Sequence, residues 1–222
     1  MTKKTKATKV FDAIREEIHN GKLPAGSKLP MEFLKDRYEV GFSPIREALS
    51  RLVSIGLVHQ EELRGFSVAS LSLEDFYDLY HMRKQLEGYA LELSIKYGKK
   101  NWEDNIHHAW QNYKNCLAKE AFSIKKFAEN HQLLRECLVE ACDSYWLFNI
   151  RAYLFQHAER YRQLCFKQNL YDTRFRKRSL EIHEKLVKAT LARQTKSALK
   201  HAAESWDLSI ETIANVLKRR DI

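Results

Sequence analysis

The residue types that could do chemistry fall into two groups. Near the N-terminus, Ser43-Pro44-Ile45-Arg46 opens a helical stripe just after Gly41. A hydroxyl beside free backbone N–H groups suits a phosphate, and a guanidinium one turn further on can lay its fork on guanine. Lys35 and Arg51 stand where phosphates would be met, and Arg64-Gly65 occupies a polar turn whose cation could enter a minor groove or lie along a backbone. Later come His131 and Arg135, four residues apart and so on one helical face, followed by His183 and His201. Scattered histidines are expected to be hydrogen-bonded side chains, with a zinc site at His131, His183 and His201 as the rival reading. The run Arg174-Phe175-Arg176-Lys177-Arg178 is expected to be a solvated helix face or a rim near a polyanion. No nucleophile–base pair and no glycine-rich phosphate loop is found, so catalysis is not expected. Cys116, Cys137, Cys142 and Cys165 have no C-x-x-C spacing and read as reduced, mostly buried thiols of a cytosolic protein.

These groups must be positioned by helices. Only 7 glycines and 3 prolines occur in 222 residues, whereas sheet-rich folds spend turn residues freely. A hydrophobic share of 44% with 30% charged residues is ordinary globular usage. No window of about 18 residues lacks charge, and the N-terminus has no apolar leader, so neither a membrane span nor a secretory signal is expected. In the first 70 residues, Val10, Phe11, Ile14 and Ile18 form one stripe. A short helix over 31–38 is expected to bury Phe33, Leu34 and Tyr38, and Ser43 to cap a third helix with Pro44 at its first position. Leu57–His59 and Phe66–Val68 read as two short strands. Three helices and a hairpin outline a winged helix-turn-helix. From Leu73 the pattern becomes amphipathic helices over 73–97, 101–119, 123–141, 144–168, 171–192 and 194–218. The fold class is therefore mainly α: a winged helix-turn-helix over 1–70, then an all-helical bundle over 71–222. The net charge of +9 is unevenly spread, with 13 basic and 4 acidic residues in 151–200 against 12 and 9 in 1–70. A nucleic-acid reader near the N-terminus would not be found by charge alone.

Ser43-Pro44-Ile45-Arg46-Glu47-Ala48-Leu49, with Gly21-x-Leu23-x-x-Gly26-x-x-Leu29 before it and Gly56-Leu57-Val58 and Arg64-Gly65-Phe66 after it, resembles the GntR family of bacterial transcription regulators. Arg83 and Glu87, at the place of a family R-x-x-x-E, make the rest look like the FadR-like subfamily with its FCD effector domain. Together the two resemblances cover nearly the whole chain. They imply an operator-binding, effector-responsive regulator, first of all a repressor, acting as a homodimer on near-palindromic double-stranded DNA. The rivals are an activator of the same family, or a helical enzyme or adaptor whose winged helix makes protein contacts. Lys35, Ser43, Pro44, Arg46, Arg51, Arg64 and Gly65 are the expected DNA contacts. Where the family commonly has Arg before Ser43, this chain has Phe42, so one base or phosphate contact is expected to be lost.

FCD domains of this subfamily often hold a divalent metal through an Asp, a His four residues later and two further histidines. Matching Cys142-Asp143-Ser144 to the family's small-residue turn puts those four positions at His131, Arg135, His183 and Ser205. A guanidinium cannot be a ligand and repels a dication, so no metal and no other cofactor is expected. Arg135 could instead meet an anionic effector directly, with bidentate geometry matched to a carboxylate. Arg83, His131, Tyr161, His183 and Ser205 are expected to complete that pocket. A small dicarboxylate is the preferred effector, and an acyl thioester the alternative. The bland reading has Arg135 paired with a helical carboxylate such as Glu87 and the pocket binding nothing.

Overall fold

The computed structural model describes residues 4–118, 123–166, 172–220 and 222, without the side chains of residues 118, 165 and 166. The breaks expected near 120 and 171, and the Cys165 thiol, fall at or beyond the edges of that description. Among the described residues the order is α1 (Lys6–His19), α2 (Met31–Tyr38), α3 (Phe42–Ser54), β1 (Val58–Glu61), β2 (Gly65–Val68), α4 (Leu73–Tyr97), α5 (Lys100–Ala118), α6 (Ile124–Val139), α7 (Tyr145–Phe166), α8 (Thr173–Leu191) and α9 (Thr195–Lys218). None of these helices is long and apolar enough to cross a membrane.

The first core forms because α1 turns Val10, Phe11, Ile14 and Ile18 inward onto Ile45, Leu49 and Leu52 of α3, with Leu34 of α2 closing the third side. The chain leaves α1 through Asn20 and Gly21, whose φ of +70° suits glycine. β1 and β2 pair antiparallel, with Val58 opposite Val68. Expectation and structure differ in three places. The N-cap of α3 is Gly41, not Ser43, so the Ser43 hydroxyl lies inside the first turn and free of capping. Phe33 is not buried but exposed, under the guanidinium of Arg37. A lysine-rich start over the first nine residues is expected to fray, yet Lys6 to Lys9 lie in α1 and Lys4 pairs with Asp12 at 2.7 Å.

The second core spans α4 to α9 and includes Phe76, Tyr80, Trp102, Tyr113, Tyr161 and Trp206. α4 packs on α7 and α9, α5 on α6, and α8 on α9. α7 also reaches the first unit. It leans on α1, sets His157 against Gly56 at the end of α3, and buries Arg160, whose guanidinium donates to the carbonyls of Ala69 and Ser70. One helix thus touches both cores.

Candidate nucleic-acid interface and anion pocket

The interface begins with α3. Its apolar residues Ile45, Ala48, Leu49 and Leu52 face the core, which leaves Phe42, Ser43, Arg46, Glu47 and Ser50 exposed on the opposite face. That face is short, polar at Ser43 and cationic at Arg46, as a helix entering a major groove requires. Pro44 sits half-buried in the first turn, where its missing N–H leaves no bond unmade. Lys35 of α2 pairs with Glu32 at 3.1 Å and places its ammonium 5.1 Å from the Phe42 ring. At the tip of the wing Arg64 is exposed, 3.4 Å from Glu61, and Gly65 follows with φ of +80°. Arg51 is the exception among the expected contacts. Its guanidinium stacks 4.3 Å from the Phe11 ring and donates to Thr8 Oγ1 at 3.4 Å, so it serves the packing of α1 on α3.

Inside the bundle, α4, α6, α8 and α9 bring Arg83, His131, Arg135, His183 and Ser205 together. His183 Nδ1 lies 2.7 Å from the Ser179 carbonyl, which can only accept, so Nδ1 carries the proton and Nε2 has the lone pair. His131 Nε2 and Ser205 Oγ, each 3.2 Å away, then act as donors to it. Burial holds both imidazoles neutral: His183 is pushed down to about 4, His131 also goes well down, and the Arg135 charge adds to each.

The guanidiniums are held differently. Arg83, only 5% exposed, lies among the rings of Tyr80, Phe155 and Trp206 at 5.0–5.5 Å. Arg135 sits 3.7 Å over the Trp206 ring. Glu87 makes no ion pair with it: its carboxylate pairs with Arg151 of α7 at 3.0 Å and reaches Arg135 only through its field. Among the described residues neither Arg83 nor Arg135 makes an ion pair or a hydrogen bond. Burial pushes Arg135 down to about 9, opposed by Glu87 and reinforced by Arg83 and Arg162, so it stays cationic at neutral pH. Arg83 is lowered too, again mainly by burial.

The cavity they line holds about 30 Å³, with His131, Gln132 and Arg162 also on its wall. That is room for a group of one or two water-sized units, such as a carboxylate. Gln132 and Arg162 also border a larger groove of about 640 Å³ between α6 and α7, lined by Ile124, Lys125, Ala128 and Phe155. Arg162 pairs with Glu159 at 3.0 Å and donates to Gln132 Oε1 at 3.5 Å.

Tyr161 is a correction. Its hydroxyl donates to Asp75 Oδ2 at 2.6 Å and accepts from the Ser72 N–H at 3.3 Å, so it secures the start of α4 and faces away from the pocket. The helical neighbour Arg162, turned by one residue, takes the place expected for it. His201 pairs with Glu204 at 3.0 Å, and no group of three or more His, Cys, Asp or Glu residues gathers among the described residues. The four positions that the family resemblance assigns to a metal offer two neutral imidazoles already bonded to each other, a hydroxyl and a guanidinium. That donor set does not fit a divalent cation. Trp206, Phe155, Gln132 and Arg162 were not anticipated. The only signal for Trp206 was its place beside Ser205.

The chain matches two family models: Bacterial regulatory proteins, gntR family, over residues 6–68, and FCD domain over residues 78–207. It is 30% identical over 188 residues to the HTH-type transcriptional repressor GlaR of Escherichia coli (strain K12), covering 83% of this chain and 85% of that one. It is 34% identical over 163 residues to the uncharacterized HTH-type transcriptional regulator BphR of Paraburkholderia xenovorans (strain LB400), covering 72% and 66%. Among solved structures, E. coli McbR/YncC superposes with a TM-score of 0.76 over 96% of this chain and 99% of that one. At 16% identity that is a likeness of fold.

Proposed function

The chain belongs to the gntR family of bacterial regulatory proteins, carries an FCD domain and is a DNA-binding transcriptional regulator, and on that footing we propose that it is a repressor whose hold on a near-palindromic operator changes when an anionic metabolite binds. Residues 1–70 form the DNA-binding unit and 71–222 the effector and dimerisation unit. α3 enters the major groove with Ser43 on phosphate and Arg46 on a base. Lys35 and Arg64 lie toward the backbone. The effector is a carboxylate. One observation carries this: Arg83 and Arg135 lie inside the bundle without a carboxylate partner among the described residues, since Glu87 is held by Arg151. A buried charge without an ion-pair partner is costly, and an anion that pairs with two of them recovers part of that cost. One carboxylate fills the small cavity. The rest of the molecule continues past Arg162 into the groove, where Lys125 offers a second carboxylate a partner.

Repression rests on the likeness to GlaR, a transcriptional repressor, and on operator occlusion as the simplest consequence of tight binding. A homodimer is supported by the apolar side chains left exposed on the packed pair α4 and α7: Met82, Tyr89, Tyr145, Trp146, Phe148 and Ile150. It is also what specificity over a genome requires when one helix reads a few base pairs.

The test is a thermal-shift screen of mono- and dicarboxylates on metal-stripped protein. A ligand at one hundred times its dissociation constant stabilises by about 2.7 kcal/mol, and Arg135→Ala should erase that shift while operator binding persists. One tightly held metal per chain, whose removal abolishes the response, would sink the metal-free reading. On the DNA side, Arg46→Ala should cost about 1–3 kcal/mol of operator affinity. Wild-type affinity in that variant would refute the recognition-helix assignment.

A further inference from the structure

The exposed face of α3 carries one residue that polar recognition cannot use. Phe42 is the first residue after the N-cap Gly41, and it is 42% exposed although it is fully apolar. Its ring stands on the same face as Ser43 and Arg46, with the Lys35 ammonium 5.1 Å from its centroid. That ammonium covers one side of the ring and leaves another open. On the floor of a major groove, the base edges are hydrogen-bond donors and acceptors with one exception, the C5-methyl group of thymine. An open aromatic ring at the leading end of a helix in that groove has no other apolar partner.

We infer that Phe42 is a specificity-determining residue that selects a thymine in each half-site by packing on its methyl group. This rests on the reading of α3 as the recognition helix. Phe33, on α2 beneath Arg37, is equally exposed (44%) but lies off the α3 face, and it has no such role. Burying one methyl group is worth about fourfold in affinity, which sets the expected effect.

The experiment starts from duplex DNA selected by the full-length protein from a randomised pool. Each thymine is then replaced singly by deoxyuridine, which removes the methyl group and nothing else. One position per half-site should lose about fourfold in affinity. Phe42→Ala should weaken binding to the parent duplex by a similar factor and make that position indifferent to the methyl group. Phe42→Leu should keep the sensitivity, Phe33→Ala should leave it unaltered, and Phe42→Arg should move the preference there from A·T to G·C. Because Phe42 is exposed, each variant should melt as the wild type does. Deoxyuridine without effect at every position, or sensitivity that survives unchanged in Phe42→Ala, overturns the inference. If Arg46→Ala still loses operator binding in that case, the recognition helix stands and only Phe42 is misassigned. If Arg46→Ala also binds as wild type, both readings fall.

Discussion

At the scale of single residues, the proposed effector pocket sets binding against stability. Arg135 is kept charged inside the bundle without an ion-pair partner among the described residues, its burial opposed only by the field of Glu87. Replacing it with leucine should therefore stabilise the ligand-free protein, by about 1–4 kcal/mol if the site repacks as other buried charges do, while abolishing the response to carboxylates. Urea unfolding of both proteins decides it. A less stable Arg135→Leu would mean that the charge is compensated after all. His183 gives a pH signature whose sign follows from its environment. Its pKa is about 4 in the folded chain and about 6.5 when unfolded, so the unfolded state binds more protons between those values. Stability is complete above pH 6.5 and falls as the pH drops toward 4, with a loss of about 3 kcal/mol from this histidine. His183→Gln should flatten the pH dependence of the unfolding free energy in that window. An unchanged slope would rule out His183 as its source.

At the scale of elements, α7 matters most. Within three consecutive residues it buries Arg160 against the carbonyls of Ala69 and Ser70, fixes Ser72 and Asp75 with Tyr161, and lines the anion cavity with Arg162. The helical turn of about 100° per residue allows one helix to serve the segment between the two units and the pocket at once. Tyr161→Phe leaves the Asp75 carboxylate without its donor and the Ser72 N–H without its acceptor. It should cost about 1–3 kcal/mol in thermal or urea unfolding, while carboxylate binding at Arg135 persists. A variant as stable as wild type would show that this contact holds nothing together.

At the scale of the whole molecule, the exposed apolar side chains of α4 and α7 are what the proposed homodimer would cover. Trp146, 73% exposed, lies beside Tyr145 and near Phe148 and Ile150. Trp146→Glu should yield a monomer in sedimentation at micromolar concentration and weaken operator binding well beyond the loss from any single DNA contact, since both half-sites must be held together. A Trp146→Glu protein that sediments as the wild type does places the interface elsewhere.

The sequence alone determined the order of the elements, because helical periodicity, few turn residues and the Ser43–Leu49 motif are local signals that tertiary packing did not override. It also identified His131, Arg135, His183 and Ser205 as neighbours, through a family spacing rather than any physical pattern. What it could not determine were the partners. Whether Glu87 would face Arg135 or Arg151 depends on how α4 is rotated between α6 and α7, and the 64-residue gap to Arg151 leaves no trace in local sequence. The Tyr161 and Phe33 expectations failed for the same reason. A helical stripe says that a side chain is amphipathic, whereas only the packed neighbours say which face it meets. That Arg83 and Arg135 form no ion pair among the described residues is likewise a tertiary property, since it depends on which carboxylates the fold has directed elsewhere.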